Sequence, residues 1–368
     1  MKIPLSQPDI TEAEIEAVTA VLRGSRLSLG PKLEEFEQAM ADYIGVAHAV
    51  GVSSGTSGLH LCIRALGIGE GDEVIVPSFT FIAAANAIRY EQARPVFVDV
   101  DPLTLNLDPA KVEEAITPRT RAIMAVHTFG VPAPMDAILA IAARHHLLVI
   151  EDACEAIGAE YKGRRVGSLG HAAVFAFYPN KQITTGEGGM VVTRDPSLAA
   201  KMRALRNQGR YDSSDWFQHA ELGYNYRLSE INCALGLVQL TRIDEILRSR
   251  EGVAQAYRRE LESIGELVLP QAAIADVSIS WFVYVVRALN GPHRDGLQSF
   301  LANEGIGCAR YFAPIHLQPS YSDWIGVKLP VTERESQRTL ALPFFNHLSA
   351  SQVREVAEAL RAGLSRLG

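Results

Sequence analysis

From about residue 48 to about residue 200, short apolar runs alternate with amphipathic stretches, and few folds accept that rhythm. Val74-Ile75-Val76, Val96-Phe97-Val98-Asp99-Val100, Ala122-Ile123-Met124-Ala125-Val126 and Leu147-Leu148-Val149-Ile150 are mostly apolar throughout. Continuous apolarity over a few residues predicts strands buried on both faces. Between them, Pro109 to Ile116 and Met135 to Arg144 carry the spacing of amphipathic helices. Strands alternating with helices predict an α/β fold, a mostly parallel sheet covered on both sides. Ligands of such sheets bind beyond the carboxyl ends of the strands, so the residues that follow each apolar run come first.

The flanks read differently. The first 45 residues predict two helices, Glu12–Leu22 and Lys32–Ala41, joined by a segment from Gly24 to Pro31. After about residue 235 a long helix from Leu228 to Arg250 is expected to lead into a smaller α+β region. That region contains Ser278–Val286, Gly307–Tyr311 and a final helix, Ser351–Leu367. The expected division is a large unit with the N-terminal helices, 1–240, and a small C-terminal α+β unit, 241–368. With 368 residues the chain can bury a large core. A net charge of −7 without a basic run argues against nucleic acid or a membrane surface as partner. Arg203, Arg206 and Arg210 are expected on a solvated face. Cys62, Cys154, Cys233 and Cys308 are far apart, which predicts reduced thiols with neither a disulfide framework nor a metal site. Met1 to Ala13 lacks a charged-then-apolar leader pattern and no apolar run reaches membrane-spanning length, so a cytoplasmic location is expected.

Four segments after the apolar runs carry chemistry. Val52-Ser53-Ser54-Gly55-Thr56-Ser57-Gly58-Leu59 opens a helix expected over Leu59–Leu66. Unpaired amides at a helix start, with hydroxyls from Ser54, Thr56 or Ser57, suit a phosphate. A plain N-cap needs only one hydroxyl. Pro77-Ser78-Phe79-Thr80-Phe81-Ile82-Ala83 offers an aromatic that either stacks on a flat ring or fills the core. Leu148-Val149-Ile150-Glu151-Asp152-Ala153 ends a buried run on two carboxylates, where an unpaired charge is costly. Asp152 there either caps a helix or pairs with the nitrogen of a pyridine ring. Phe175 to Met190 places Lys181 in a polar turn between apolar runs, with Gly186, Gly188 and Gly189 just after it. A lysine held on a turn can form a Schiff base with a carbonyl compound, and pyridoxal phosphate (PLP) is the commonest such partner. Taken singly, each segment has an ordinary structural explanation. Their order is the signal: phosphate loop, aromatic, strand-end aspartate, lysine.

In order and wording the chain resembles the DegT/DnrJ/EryC1/StrS family of PLP-dependent sugar aminotransferases, within the aspartate aminotransferase (fold type I) superfamily. The resemblance runs from Gly30-Pro31 through Ser54-Gly55-Thr56, Glu151-Asp152-Ala153, Lys181 and Thr184-Thr185-Gly186-Glu187-Gly188-Gly189. It continues through Leu222-Gly223-Tyr224-Asn225-Tyr226-Arg227-Leu228 to Tyr311-Phe312-Ala313-Pro314-Ile315-His316. The resemblance implies that Lys181 binds PLP covalently, Asp152 holds the pyridine nitrogen and Phe81 stacks on the ring. Gly55 and Thr56 would bind the phosphate, which Asn225 would reach from the neighbouring subunit of a homodimer with Arg227 in support. Tyr311 and His316 fall where the family meets sugar. Ala176 stands where a phosphate-binding serine is frequent, so that bond is absent unless Ser57 or water supplies it. Glu155 stands near the cofactor's phenolic oxygen, where many relatives carry glutamine or histidine.

The implied reaction moves an amino group from an amino acid, L-glutamate first, to a keto-sugar, a nucleotide-linked 4-keto-6-deoxy sugar first. A PLP-dependent dehydratase or lyase, and a cyclitol (inosose) aminotransferase, are the alternatives within the same scaffold. Relatives that act as dehydratases can replace the lysine by histidine, and Lys181 speaks against that version. A regulatory binding protein that lost catalysis is the alternative of another class, and no helix-turn-helix or basic stretch supports it. The segments Gln208–Leu222 and Ser25–Ser28 are expected to shape the pocket.

Overall fold

Each apolar run becomes a strand of one central sheet. The computed structural model describes residues 1–211, 215 and 217–367. Its strands begin with β1 (His48–Val52), β2 (Glu73–Pro77), β3 (Arg94–Val98), β4 (Thr120–Val126) and β5 (Leu148–Asp152). Two-residue strands β6 (Glu160–Tyr161) and β7 (Arg164–Arg165) form a side ladder, and β8 (Ala172–Ala176) and β9 (Gly189–Thr193) return to the sheet. The seven-stranded order is β1-β9-β8-β5-β4-β2-β3. Pairings from β3 across to β8 are parallel, whereas β9 is antiparallel to both its neighbours.

Both faces are covered, as the unbroken apolarity of the strands requires. Val74, Val76, Met124 and Ile150 pack into one core with Leu59, Ile63 and Ile88 from helices α3 (Gly55–Ala65) and α4 (Ala83–Tyr90). Ile75, Ile123 and Val149, one residue out of step, pack into a second core with Met135 and Ile138. The N-terminal helices are Glu12–Arg23 and Pro31–Ile44, and the latter places Phe36 and Met40 against Phe175 and Met190.

Three expectations change. The helix expected over Leu228–Arg250 is two helices, Glu230–Thr241 and Ile243–Leu261. The joint is Arg242, whose guanidinium bonds Glu14 at 2.8 Å and Asp9 at 3.2 Å. The arginines expected on a solvated face are largely withdrawn from water: Arg206 and Arg210 are buried. The reason is the open edge of the sheet. Among the described residues β1 pairs only with β9, and its outward carbonyls are taken by Arg203 (2.9 Å to Ala49 O) and Arg206 (2.7 Å to Gly51 O), with Glu37 against both guanidiniums. The helix expected over Leu59–Leu66 begins at Gly55.

The C-terminal part builds its own core. Strands β10 (Leu267–Val268), β12 (Tyr284–Ala288) and β13 (Thr339–Leu342) form an antiparallel sheet, while β11 (Val277–Ser278) joins the side ladder with β6. Val356 and Leu360 of the last helix, Ala350–Leu367, pack there with Tyr257 and Leu297. Ile3 from the N-terminus enters this same core and pairs with Ile306. Among the described residues no helix is long and apolar enough to cross a membrane.

Candidate active site

The segment expected to bind phosphate is the first turn of α3. Ser54 caps it: its hydroxyl accepts from Ser57 N–H at 3.0 Å, and Ser57 Oγ accepts from Ser54 N–H at 2.9 Å. The two serines therefore satisfy each other, and neither hydroxyl is spare for a ligand. The amides of Gly55 and Thr56, which have no acceptor within the helix, are what an anion meets there, together with the positive end of the helix dipole. Gly55 is a packing requirement, because a Cβ there would sit 2.7 Å from the Ala176 methyl. Gly189 is another, since its Cβ would meet Ser54 O at 2.6 Å.

Asp152 ends β5 in the same hollow. No helix starts after it, so it is not an N-cap. Its Oδ1 accepts one bond, from Cys154 N–H at 3.1 Å, and among the described residues it has no ion pair. The side chain is nevertheless buried, at 7% exposure. A buried carboxylate left so poorly partnered suits a cationic N–H donor brought by a ligand.

Lys181 stands on a turn that the backbone holds rigidly. Lys181 N–H donates to Tyr178 O at 2.9 Å, Thr185 N–H to Phe177 O at 3.0 Å and Phe177 N–H to Gly188 O at 3.0 Å. Asn232 Nδ2 donates to Glu187 O at 3.0 Å. The ammonium lies 3.5 Å from Glu155 Oε1 and 3.8 Å above the centre of the Phe282 ring. Glu155 is fixed in turn: its Oε2 accepts from Phe129 N–H at 2.9 Å. Phe129 (φ 57°) and Gly130 (φ 85°) are both left-handed, a conformation costly for a phenylalanine, and the turn aims the amide at the carboxylate. Gly130 has no alternative, because a Cβ would fall 1.7 Å from Ser280 O. Ser280 is also bonded, through Oγ at 2.9 Å, by Gln182 Nε2, which donates to Glu155 O as well. Burial raises the Glu155 carboxyl above its ordinary range, nearby Lys181 opposes this, and Asp152 adds to it.

These groups line one cleft of about 460 Å³, shared by Gly55, Thr56, Phe81, Asp152, Glu155, Lys181 and Tyr311. Phe81 projects into it, 61% exposed, whereas Phe79 is core. Tyr311 stacks on Phe312 at 5.1 Å and on Phe282 at 6.3 Å. Sequence reasoning missed Phe282, Phe129, Gln182 and Asn180. Only Asn180 and Gln182 carried a signal, as neighbours of the lysine, and Asn180 Oδ1 is buried without a partner among the described residues.

Two predicted residues lie elsewhere. The His316 ring is buried: its Nδ1 is 2.7 Å from Ser78 Oγ and its Nε2 3.4 Å from Glu333. Asn225 is exposed, bridged to Asn207 away from the cleft. The described parts of 208–222, and Ser25–Ser28, do not line the cleft; Asp212, Ser213, Ser214 and Trp216 lie outside the described residues.

The cleft fits PLP group by group: two helix-start amides, one of them on Gly55 where a Cβ would not fit, a buried carboxylate with no ion pair among the described residues, a lysine and an exposed aromatic. No cluster able to hold a metal ion occurs among the described residues. The comparisons agree. Residues 8–361 match the DegT/DnrJ/EryC1/StrS aminotransferase family. GDP-perosamine synthase of Caulobacter vibrioides is 47% identical over 90% of each chain. The aminotransferase TlmJ from Streptoalloteichus hindustanus superposes with a TM-score of 0.94 at 36% identity, covering 99% of both chains. Spr1654 of Streptococcus pneumoniae, solved in a PLP form, gives 0.94 at 27% identity over 100% of this chain and 99% of that one. The chain belongs to the DegT/DnrJ/EryC1/StrS aminotransferase family, and it is a PLP-dependent sugar aminotransferase.

Proposed function

We propose that the protein moves the amino group of L-glutamate to a nucleotide-linked keto-sugar, a 4-keto-6-deoxy sugar, as a cytoplasmic homodimer. The observation that carries the reading is the convergence of Lys181, Asp152 and the Gly55 and Thr56 amides on one cleft. Bound PLP supplies an electron sink for the negative charge left at the donor's α-carbon. The chain supplies the rest. Gly55 and Thr56 would hold the phosphate, Phe81 would cover the ring, and Asp152 would accept the ring N–H and keep that nitrogen protonated. Lys181 would be the covalent anchor and then, as an amine, the base that takes the donor's α-proton and delivers it to the cofactor's C4′ carbon. Glu155 stands 3.5 Å from the Lys181 ammonium and would lie near the phenolic oxygen.

Residues 1–240 form the cofactor side, and residues 241–368 bring Phe282, Tyr311 and Phe312 to the substrate side. Tyr311 meets the sugar, and His316 anchors its loop to Ser78. Asn225, with Arg227 beside it, reaches the phosphate bound in a second subunit. The nucleotide is supported by the Caulobacter relative, whose name specifies a GDP-linked product.

An absorption spectrum with PLP, before and after L-glutamate, tests the donor half. Loss of the band of lysine-bound PLP with formation of 2-oxoglutarate is expected. GDP- and dTDP-linked 4-keto-6-deoxy sugars should then restore the band and yield an amino sugar by mass spectrometry. Ammonia without a 2-oxo acid would instead make the protein a lyase.

A further inference from the structure

The segment Tyr224-Asn225-Tyr226 is extended and pinned along its backbone. Tyr224 N–H donates to Leu205 O at 2.6 Å, Tyr226 N–H to Arg206 O at 2.9 Å, and Ser53 N–H to Tyr226 O at 2.8 Å. Side chains of extended backbone alternate in direction. Both tyrosines accordingly turn inward, stacked at 4.9 Å with a 7° interplanar angle, and Asn225 turns out. Their hydroxyls end in one polar cluster. Tyr226 Oη is 3.0 Å from His60 Nδ1, and His60 Nε2 is 2.8 Å from Glu91 Oε1. Tyr224 Oη donates to Glu91 Oε1 at 2.7 Å, and Arg64 donates to Glu91 Oε2 at 3.1 Å.

The distances accommodate Tyr226 O–H on Nδ1, Nε2–H on the carboxylate and Tyr224 O–H on the carboxylate. Burial and the Glu91 carboxylate push the Tyr224 phenol well above its ordinary value, so it stays a donor. His60 is buried and the others half-buried, and a network whose members satisfy one another favours one geometry. His60 and Arg64 both lie on α3, whose first turn is the phosphate cradle. One helix therefore touches the chain's own phosphate site at one end and the mount of Asn225 further along.

We propose that His60, Glu91, Tyr224 and Tyr226 are positioning residues that clamp Asn225 in the pose from which it reaches the phosphate of PLP in a second subunit. The proposal rests on the reading that Asn225 crosses the dimer. The clamp has two routes to cofactor binding, through Asn225 to a second subunit and through α3 and Ser53 to the cradle of its own chain, and a double-mutant cycle with Asn225 separates them.

The test is a double-mutant cycle on the full-length dimer, read as the dissociation constant of PLP. Asn225→Ala removes a bond to a charged group and should weaken PLP about tenfold or more. Tyr224→Phe/Tyr226→Phe removes only two hydroxyls and should weaken PLP roughly threefold to tenfold, yet add nothing once Asn225→Ala is present. Binding of pyridoxal, which lacks the phosphate, should be unchanged in all of them. Glu91→Gln, which keeps an acceptor for Tyr224, should restore most of the affinity that Glu91→Ala loses. A tyrosine pair that lowers Tm and leaves PLP affinity untouched, or that adds fully to Asn225→Ala, overturns the clamp alone. If Asn225→Ala itself leaves PLP affinity unchanged, the cross-subunit reading falls and the clamp with it.

Discussion

Glu151 and Asp152 are neighbours at the end of β5, point to opposite faces of the sheet, and have opposite fates. Glu151 is fully buried and accepts four hydrogen bonds: from His127 Nε2 at 3.0 Å, Gly167 N–H and Leu169 N–H at 2.8 Å, and Gly170 N–H at 2.6 Å. His127 is held for this, since its Nδ1 accepts from Ala133 N–H at 2.9 Å and its proton must sit on Nε2. Asp152 has one such bond and no ion pair among the described residues. Taking a carboxylate out of water costs several kcal/mol unless its lone pairs are satisfied. Glu151 meets that cost with the fold's own donors, and it ties residues 167–170 to β5 and to His127 just beyond β4. Asp152 leaves it unmet until a ligand arrives. The lesson is that burial alone does not mark a functional carboxylate; burial without partners does.

Breaking the functional side should abolish turnover while the fold persists. Lys181→Ala has the largest expected effect, a loss of at least ~10⁴-fold in kcat, because anchor and base go together. Normal turnover in that variant would remove the lysine from the chemistry. Asp152→Ala should cost about 10²–10³-fold in kcat, the scale of losing one aligned charge at a reacting centre. Its apoprotein should melt no lower than wild type, since an unpaired buried charge is lost. A Tm drop matching that of a Glu151 variant would erase the contrast between the two residues.

Glu151→Gln inverts the pattern. It turns an amide N–H₂ toward backbone donors and should cost about 3–5 kcal/mol of stability, measured by urea unfolding, while kcat per folded molecule holds. Its pH dependence has a definite sign. Burial pushes the Glu151 carboxyl up, but the His127 bond and the Gly167 and Gly170 amides outweigh it and hold the group below its ordinary value. A carboxyl depressed in the folded state stabilises above the unfolded value near ~4.3 and loses that contribution as pH falls through the folded value. The stability gap between wild type and Glu151→Gln should therefore narrow below about pH 4.

The strands were legible because full burial leaves continuous apolar runs, and the lysine turn because glycines and polar residues interrupt them. The start of α3 was not, since Gly55, Ser57 and Gly58 are weak helix formers that tertiary packing overrides. Asp152 was legible as a strand-end carboxylate, but sequence could not tell a cap from a ligand partner. What separates them is the count of donors around it, which depends on chain far away. The same holds for Arg206, drawn under the sheet edge by Gly51 O, and for Phe282 and Ser280, which reach Lys181 and Gln182 respectively from beyond residue 241. The inward turn of His316 depends on Ser78, distant in sequence, and has no local mark.

Glu155 lies between the two extremes and should give the smallest effect. It has one amide donor, Phe129 N–H, and one cation, Lys181 at 3.5 Å, so it is partly satisfied. Burial is the larger influence and raises its carboxyl, with Asp152 adding to the rise against the pull of Lys181. A carboxyl raised in the folded state stabilises below the unfolded value and loses that contribution as pH climbs through the folded value. Glu155→Gln keeps an acceptor for Phe129 N–H and removes the charge. In the apoprotein its Tm relative to wild type should therefore increase from pH 4.5 to pH 8, by less than Glu151→Gln loses. A relative Tm that falls over the same interval would mean that Lys181 holds Glu155 as an anion, and would move this residue to the satisfied side of the contrast with Asp152.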